Sequence, residues 1–355
     1  MVVGLGLGGV LLLGLLLRAG LALDQRRRLG HPLRRRRLLA EALTALVETG
    51  WAAGWLLSGG MSGGKASLPT FVLIVLVLGG RALLRGAVSW ACQDRPAFPT
   101  PQIWLGGLVP VGLACLLWPL LRPESDDGLW AWGLWLVLEV SGSWLWPHWM
   151  GGGEGPESLP EEVLDARLSH LMTECGLPAC RVRIAEGMTG ANGRFTGLPG
   201  GRRIVLSPDL LDALTPEEVL AVAAHEAAHC RLHHEEKWLA ARALLALILC
   251  LSLPLLMGAR MQAVSGLDPL GLWIACWLLL PLLGFWLRPG VAAVRRRWEY
   301  DADAFAARYA GALALCSALA RLDEVNGVPP HSARGFALFH GFHPTTAHRL
   351  TRLGG

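Results

Sequence analysis

A chain of 355 residues that is 53% hydrophobic and only 17% charged, with a mean hydropathy of +0.42, is too apolar for an ordinary soluble protein and long enough for several membrane spans plus a modest soluble domain. The net charge of +4 sits in a few basic loops between apolar runs, so it gives no reason to invoke nucleic acid as a partner. The eight cysteines make no C-x-x-C pair and several lie inside apolar runs, which argues against a disulfide framework or a thiolate metal site.

In chain order, Val2 to Leu17 is apolar and Gly-rich, and its basic residues (Arg26 to Arg28, Arg34 to Arg37) follow it rather than precede it, so it reads as span one and not as a signal peptide. Span two runs from about Leu38 to Leu57, span three from Leu68 to Val88, span four from Ile103 to Leu121 and span five from Leu129 to Trp146, each near the twenty residues that a bilayer requires. Spans six (Ala240 to Met257) and seven (Leu270 to Leu287) come much later. Loops one-two and three-four and the stretch Arg288 to Arg297 are basic, whereas Pro123 to Asp127 is acidic; the N-terminus is therefore expected outside and the soluble parts and C-terminus in the cytosol. Glu41 and Glu48 in span two, Arg81 and Arg85 in span three and Glu139 in span five suggest a hydrated chamber. Gly59 to Lys65 has the spacing of a phosphate-binding loop, but Ala66 stands where the hydroxyl is needed, and the stretch joins two spans.

The soluble segment between spans five and six reads as a helix from Ser158 to Cys175, two short strands at Arg181 to Ala185 and Arg203 to Ser207, and then a second helix. Thr215, Pro216 and Glu218 supply its N-cap, first helical residue and capping box. It carries His225-Glu226-Ala227-Ala228-His229. Residues four apart share one helix face, so His225 and His229 can grip one zinc ion while Glu226 lies beside the water that the ion activates. No Gly or Pro interrupts Glu217 to Leu253, and this helix is expected to continue into span six, which would put the metal about 13 Å from the membrane edge.

A catalytic zinc needs a third protein ligand and an open position. The pattern that would supply a third histidine six residues on is missing, since Leu232 and Glu235 stand there. Glu299, on the helix expected from Val291 to Tyr309, is the candidate, and Asp303 one turn on could accept a hydrogen bond from a ligand imidazole and fix its tautomer. The competing reading is a solvated acidic patch balancing Arg295 to Arg297. His233, His234, His340 and, taken alone, His343 read as surface histidines; His233 and His234 lie past His229 and are not counted as ligands.

His225-Glu226-x-x-His229 with Glu299-x-x-Ala302-Asp303 downstream resembles the zinc metallopeptidase family of the CAAX prenyl endopeptidases and HtpX. Asn192 to Gly197, Arg203 to Ser207, and His343-Pro344 with Arg349 are similar to further stretches of that family, and the order of spans resembles the seven-span CAAX type. Gly193-Arg194 departs from the family's usual small residue followed by an aromatic. The resemblance implies that His225, His229 and Glu299 bind one Zn2+, that Glu226 is the base, that His343 and Arg349 face the developing oxyanion and that Asn192 helps hold an extended substrate.

The expected fold class is mainly α: a polytopic membrane protein with seven transmembrane helices and a small cytosolic α+β, gluzincin-like catalytic domain. Its parts are residues 1–147 (five spans), 148–237 (first catalytic part, with the zinc helix), 238–288 (spans six and seven) and 289–355 (second catalytic part). The expected function is a membrane zinc endopeptidase acting at the cytosolic face on peptide substrates, membrane-anchored or prenylated ones among them, in a plasma or inner membrane rather than an organelle. Two alternatives stand beside it: a regulatory peptidase like the β-lactam sensor antirepressors, and a membrane protein that keeps zinc for structure. Glu226, which a structural zinc site does not need, disfavours the last.

Overall fold

The computed structural model describes residues 13–14, 16–22, 24–25, 161–184, 190–196, 202–257, 269–328 and 333–354, without the side chains of 249–250, 253–257 and 269–283. Expected spans two to five, the start of span one, the Gly59 to Lys65 loop, and Glu41, Glu48, Arg81, Arg85 and Glu139 lie outside these residues. Among the described residues no helix is long and apolar enough to cross a membrane.

The chain divides into two compact units, Met1–Trp135 with Leu244–Pro289 and Ala333–Phe339, and Leu136–Ala243 with Gly290–Ser332 and His340–Gly355. In chain order the elements are α1 (Glu162–Glu174), β1 (Arg181–Ile184), β2 (Gly193–Thr196), β3 (Arg203–Leu206), α2 (Pro208–Ala213), α3 (Pro216–Arg231), α4 (His234–Met257), α5 (Pro269–Ala310), α6 (Ala312–Val325), α7 (Arg334–His340) and α8 (Thr346–Leu353).

In the first unit the described residues of the N-terminal stretch are helical. Phe285, 1% exposed, stacks on Phe339 with centroids 4.7 Å apart, and Arg18 lies over its ring. Gln25 Oε1 accepts the Ala333 N–H at 2.7 Å. Gly335 allows this close approach, because a Cβ there would come within 2.8 Å of Leu21 Cδ2.

The second unit is built round α3. That helix is alanine-rich, and Ala221, Ala223, Ala224, Ala227 and Ala228 are all fully buried. These small side chains let α1, α6 and β2 pack close to its backbone, and Val219, Val222, His225 and Cys230 are buried on its other sides. Its N-terminus carries the capping box: Thr215 Oγ1 accepts the Glu218 N–H and Glu218 Oε2 accepts the Thr215 N–H at 2.8 Å. Ser317 on α6 donates to Glu218 Oε1 at 2.6 Å, so the same carboxylate fastens α6 to α3.

The sheet order is β1-β3-β2, with β1 parallel and β2 antiparallel to β3. Strand β3, Arg-Ile-Val-Leu, is buried throughout as the central strand, and β2 forms an edge. At the start of β2, the Asn326 side chain accepts the Ala191 N–H and donates to the Ala191 carbonyl.

Two expectations about helix extent are corrected. The second soluble helix does not run into span six: α3 ends at Arg231, His233 takes the left-handed conformation at φ 57°, and α4 starts anew at His234. Conversely, the stretch expected as span seven and the Glu299 helix form one helix, α5, whose backbone continues through Pro281 and Pro289.

Candidate metal centre

The centre of the second unit is polar although its surroundings are apolar. His225 and His229 come from consecutive turns of α3 and Glu299 from α5; His225 and Glu299 are 7% and 6% exposed. His225 Nε2 lies 3.3 Å from His229 Nε2 and 3.4 Å from Glu299 Oε2, and His229 Nε2 lies 3.6 Å from Glu299 Oε1. The residues fit a zinc ion on two counts. Ligands about 2.05 Å from a tetrahedral zinc stand about 3.3 Å from one another, close to these three separations. Glu299 Oε2 is buried without a well-aligned hydrogen bond, although His225 Nε2 and His343 Nδ1, at 3.0 Å, lie beside it; ligand atoms of His225, His229 and Glu299 lie within 4.8 Å of one another. A buried carboxylate left so would be costly without a cation.

Behind His225 the second ring nitrogen is engaged. Its Nδ1 lies 3.0 Å from Asp303 Oδ1. Arg349, from α8, donates Nε to Asp303 Oδ2 at 2.8 Å and Nη2 to Asp303 Oδ1. Arg349 Nη2 also lies 3.3 Å from His225 Nδ1, but a guanidinium has no lone pair to accept that nitrogen's proton, so the Nδ1 proton goes to Asp303 and Nε2 is the nitrogen whose lone pair a metal would take in place of a proton. Burial pulls the His225 imidazole down, and the carboxylates of Asp303 and Glu299 more than offset it, up to about 9. For His229 burial and the charge of His225 act together, down to about 3. Burial raises the Glu299 and Asp303 carboxyls, yet the imidazoles of His225 and His343 hold the first well below its usual range and His225 with Arg349 does the same for the second.

Glu226 follows His225 on α3. Burial pushes its carboxyl up, and its Oε2 accepts the Phe195 N–H of β2 at 2.8 Å. Gly193, two residues earlier, sits where a Cβ would be 3.1 Å from Leu206 Cδ2 and 3.2 Å from Val222 Cγ1, so the edge strand lies close over α3. Asn192 is exposed at the head of β2, its N–H and C=O both bonded to Ser207. His343 has its side chain 71% exposed.

One expected surface histidine is not on the surface. His234 is 3% exposed; its Nδ1 lies 3.0 Å from His229 Nδ1 and its ring stacks on Trp298. An unbroken helix turns 100° per residue and would put position 234 away from His229. The left-handed His233 brings it back, and no Gly or Pro in the sequence marks that turn.

Residues 158–355 match the Peptidase family M48. The chain belongs to this family. The family is one of peptidases, and His225, His229 and Glu299 form a group that could hold a metal ion. It is 29% identical over 207 residues to a CAAX prenyl protease 1 homolog of Oryza sativa subsp. japonica and 26% over 219 residues to CAAX prenyl protease 1 of Saccharomyces cerevisiae, covering 55% of this chain and 48% of each relative. It is also similar to the protease HtpX of Legionella pneumophila, 28% identical over 222 residues, covering 52% of this chain and 73% of that one. The chain thus spans about half the length of the two CAAX protease relatives. The crystal structure of S. mikatae Ste24p shares the fold, with a TM-score of 0.75 over 98% of both chains at 18% identity.

Proposed function

We propose that this M48 member is an integral-membrane zinc endopeptidase that hydrolyses peptide bonds of membrane-associated substrates, prenylated ones among them, at the cytosolic membrane face. The observation that carries the reading is the spacing of the His225, His229 and Glu299 donor atoms, with Glu226 beside them under the edge strand. These three residues would hold one zinc, which when bound supplies Lewis acidity toward a carbonyl and makes a nearby water a stronger acid. Glu226 takes the proton of the attacking water and returns it to the leaving amine; burial, which raises its carboxyl, suits it to both halves of that exchange. Asp303, fastened by Arg349, orients His225. His343, exposed beside Glu299, is the group available to a developing oxyanion, with Arg349 next to it in the family's tail signature; Asn192 helps hold an extended peptide along β2. Seven spans, a division near residues 147, 237 and 288, an outside N-terminus and a cytosolic C-terminus in a plasma or inner membrane complete the reading. It draws support from the apolar runs, the loop charges and the shared fold with Ste24p.

The test uses the full chain in proteoliposomes with a farnesylated peptide and its unlipidated counterpart, and zinc counted by mass spectrometry. Wild type should bind one zinc and cleave. Glu226→Gln should keep the zinc and lose about 10²–10⁴-fold in turnover, and His225→Ala should lose both. Unchanged turnover in Glu226→Gln, or no zinc in wild type, overturns the reading, and equal cleavage of both peptides removes prenylated substrates from it.

A further inference from the structure

The two histidines of the centre are held from behind in different ways. His225 Nδ1 faces the Asp303 carboxylate, itself fixed by Arg349. Among the described residues His229 Nδ1 faces no carboxylate; 3.0 Å from it lies Nδ1 of His234. His229 Nε2 is the nitrogen turned to the centre, 3.3 Å from His225 Nε2, and if it gives its lone pair to a metal its proton must sit on Nδ1. The only described atom opposite that proton is His234 Nδ1, which can accept it when the His234 proton is on Nε2. The His234 ring cannot swing away freely. It is 3% exposed and stacks on Trp298 with centroids 5.0 Å apart and planes 7° apart, and Trp298 is the neighbour of Glu299 on α5.

We propose that His234 is a positioning residue for the metal centre, which accepts the Nδ1 proton of His229 and so fixes the tautomer and the angle of that ligand. The inference rests on the zinc reading above. It gives the helix break a purpose: the left-handed His233, an unusual conformation for a residue with a side chain, carries His234 back over His229. It also makes the two imidazole ligands unequal. A carboxylate behind His225 strengthens it as a donor, whereas a neutral imidazole behind His229 orients without adding charge.

The experiment compares His234→Asn, His234→Gln and His234→Ala in the full chain, reading zinc affinity by competition with a chromophoric chelator and the visible absorption of the Co2+-loaded protein. An Asn side chain puts an acceptor oxygen at the reach of Nδ1, whereas Gln puts it a bond further out. His234→Asn should hold zinc within about 3-fold of wild type, while His234→Gln and His234→Ala should weaken it by about 10–100-fold and shift the cobalt bands. Thermal melting of the apo proteins separates loss of fold from loss of positioning, and if the alanine variant does not fold, the Asn and Gln pair decides. Alanine binding as tightly as wild type, or Asn losing as much as Gln, overturns the proposal. A wild-type chain that takes up no zinc fails the earlier reading instead, and a chain that binds zinc with no dependence on residue 234 fails this one alone.

Discussion

Arg349 offers a test in which two roles predict different measurements. Its side chain is 10% exposed and both its Nε and Nη2 donate to Asp303, which is 2% exposed and has His225 as its only other described partner. Removing the guanidinium in Arg349→Ala leaves a carboxylate buried and short of charge, and breaking a buried pair in that way costs about 3–5 kcal/mol. That is a large share of the roughly 5–15 kcal/mol that a domain has in total, and for a unit of this size it corresponds to a fall of about 6–20 °C in Tm. His225 would also lose its fixed partner, so zinc affinity should drop by about 10–100-fold. Arg349→Lys keeps the charge but not the two-pronged geometry and should fall between. Thermal melts of the full chain with and without zinc, together with zinc titration, measure all of this. Were Arg349→Ala to melt within about 1 °C of wild type and lose only turnover, the buried pair would not need its arginine, and a role confined to the oxyanion would stand in its place.

Glu218 gives a pH prediction. Burial raises its carboxyl, but the hydrogen bonds from Ser317 and Thr215 and the nearby Arg321 outweigh this and hold it below its ordinary value of 4.5. A depressed carboxyl stabilises the fold above its unfolded pKa and loses that contribution as pH falls through the folded one. Glu218→Gln should therefore be less stable than wild type by about 1–3 kcal/mol at pH 7, with the gap closing below pH 4.5 in melts taken from pH 7 to 3, and a gap that stays constant with pH refutes the assignment. At the helix break, His233→Gly removes the strain of a left-handed side-chain residue at the cost of a looser unfolded chain, for a net gain of about 0.5–1 kcal/mol; the exposed contact of His233 with Glu236 at 3.6 Å is worth little, and a lower Tm in the glycine variant would contradict this.

Features governed by neighbouring residues were legible in the sequence. The capping box at Thr215 and Glu218, the pairing of His225 with His229 on one helix face, and the strands near Arg181 and Arg203 all follow from local spacing. What was not legible depends on distant packing. Nothing between Glu217 and Leu253 announces a stop, because the turn at His233 is held by bonds of the helix end, with its N–H on the Cys230 carbonyl, and by the burial of His234 rather than by a Gly. The stretch read as span seven and the helix read from Val291 to Tyr309 are one helix, α5, and nothing local between Leu287 and Val291 announces that continuity. The bond from Arg349 to Asp303 joins residues on two separate helices, and no periodicity carries such a pairing.

On the mechanism proposed above, the hydrogen bond from Phe195 to Glu226 would tie the timing of proton transfer to the filling of the strand edge. One amide hydrogen serves two claimants: the carboxylate that holds it now, and the carbonyl of any extended chain laid along β2. While Glu226 holds it, that bond lowers the carboxylate's affinity for a proton. A peptide that drew the amide to itself would lift this restraint, so the proposed base would become a stronger proton acceptor when a chain lies beside it than when the edge is bare.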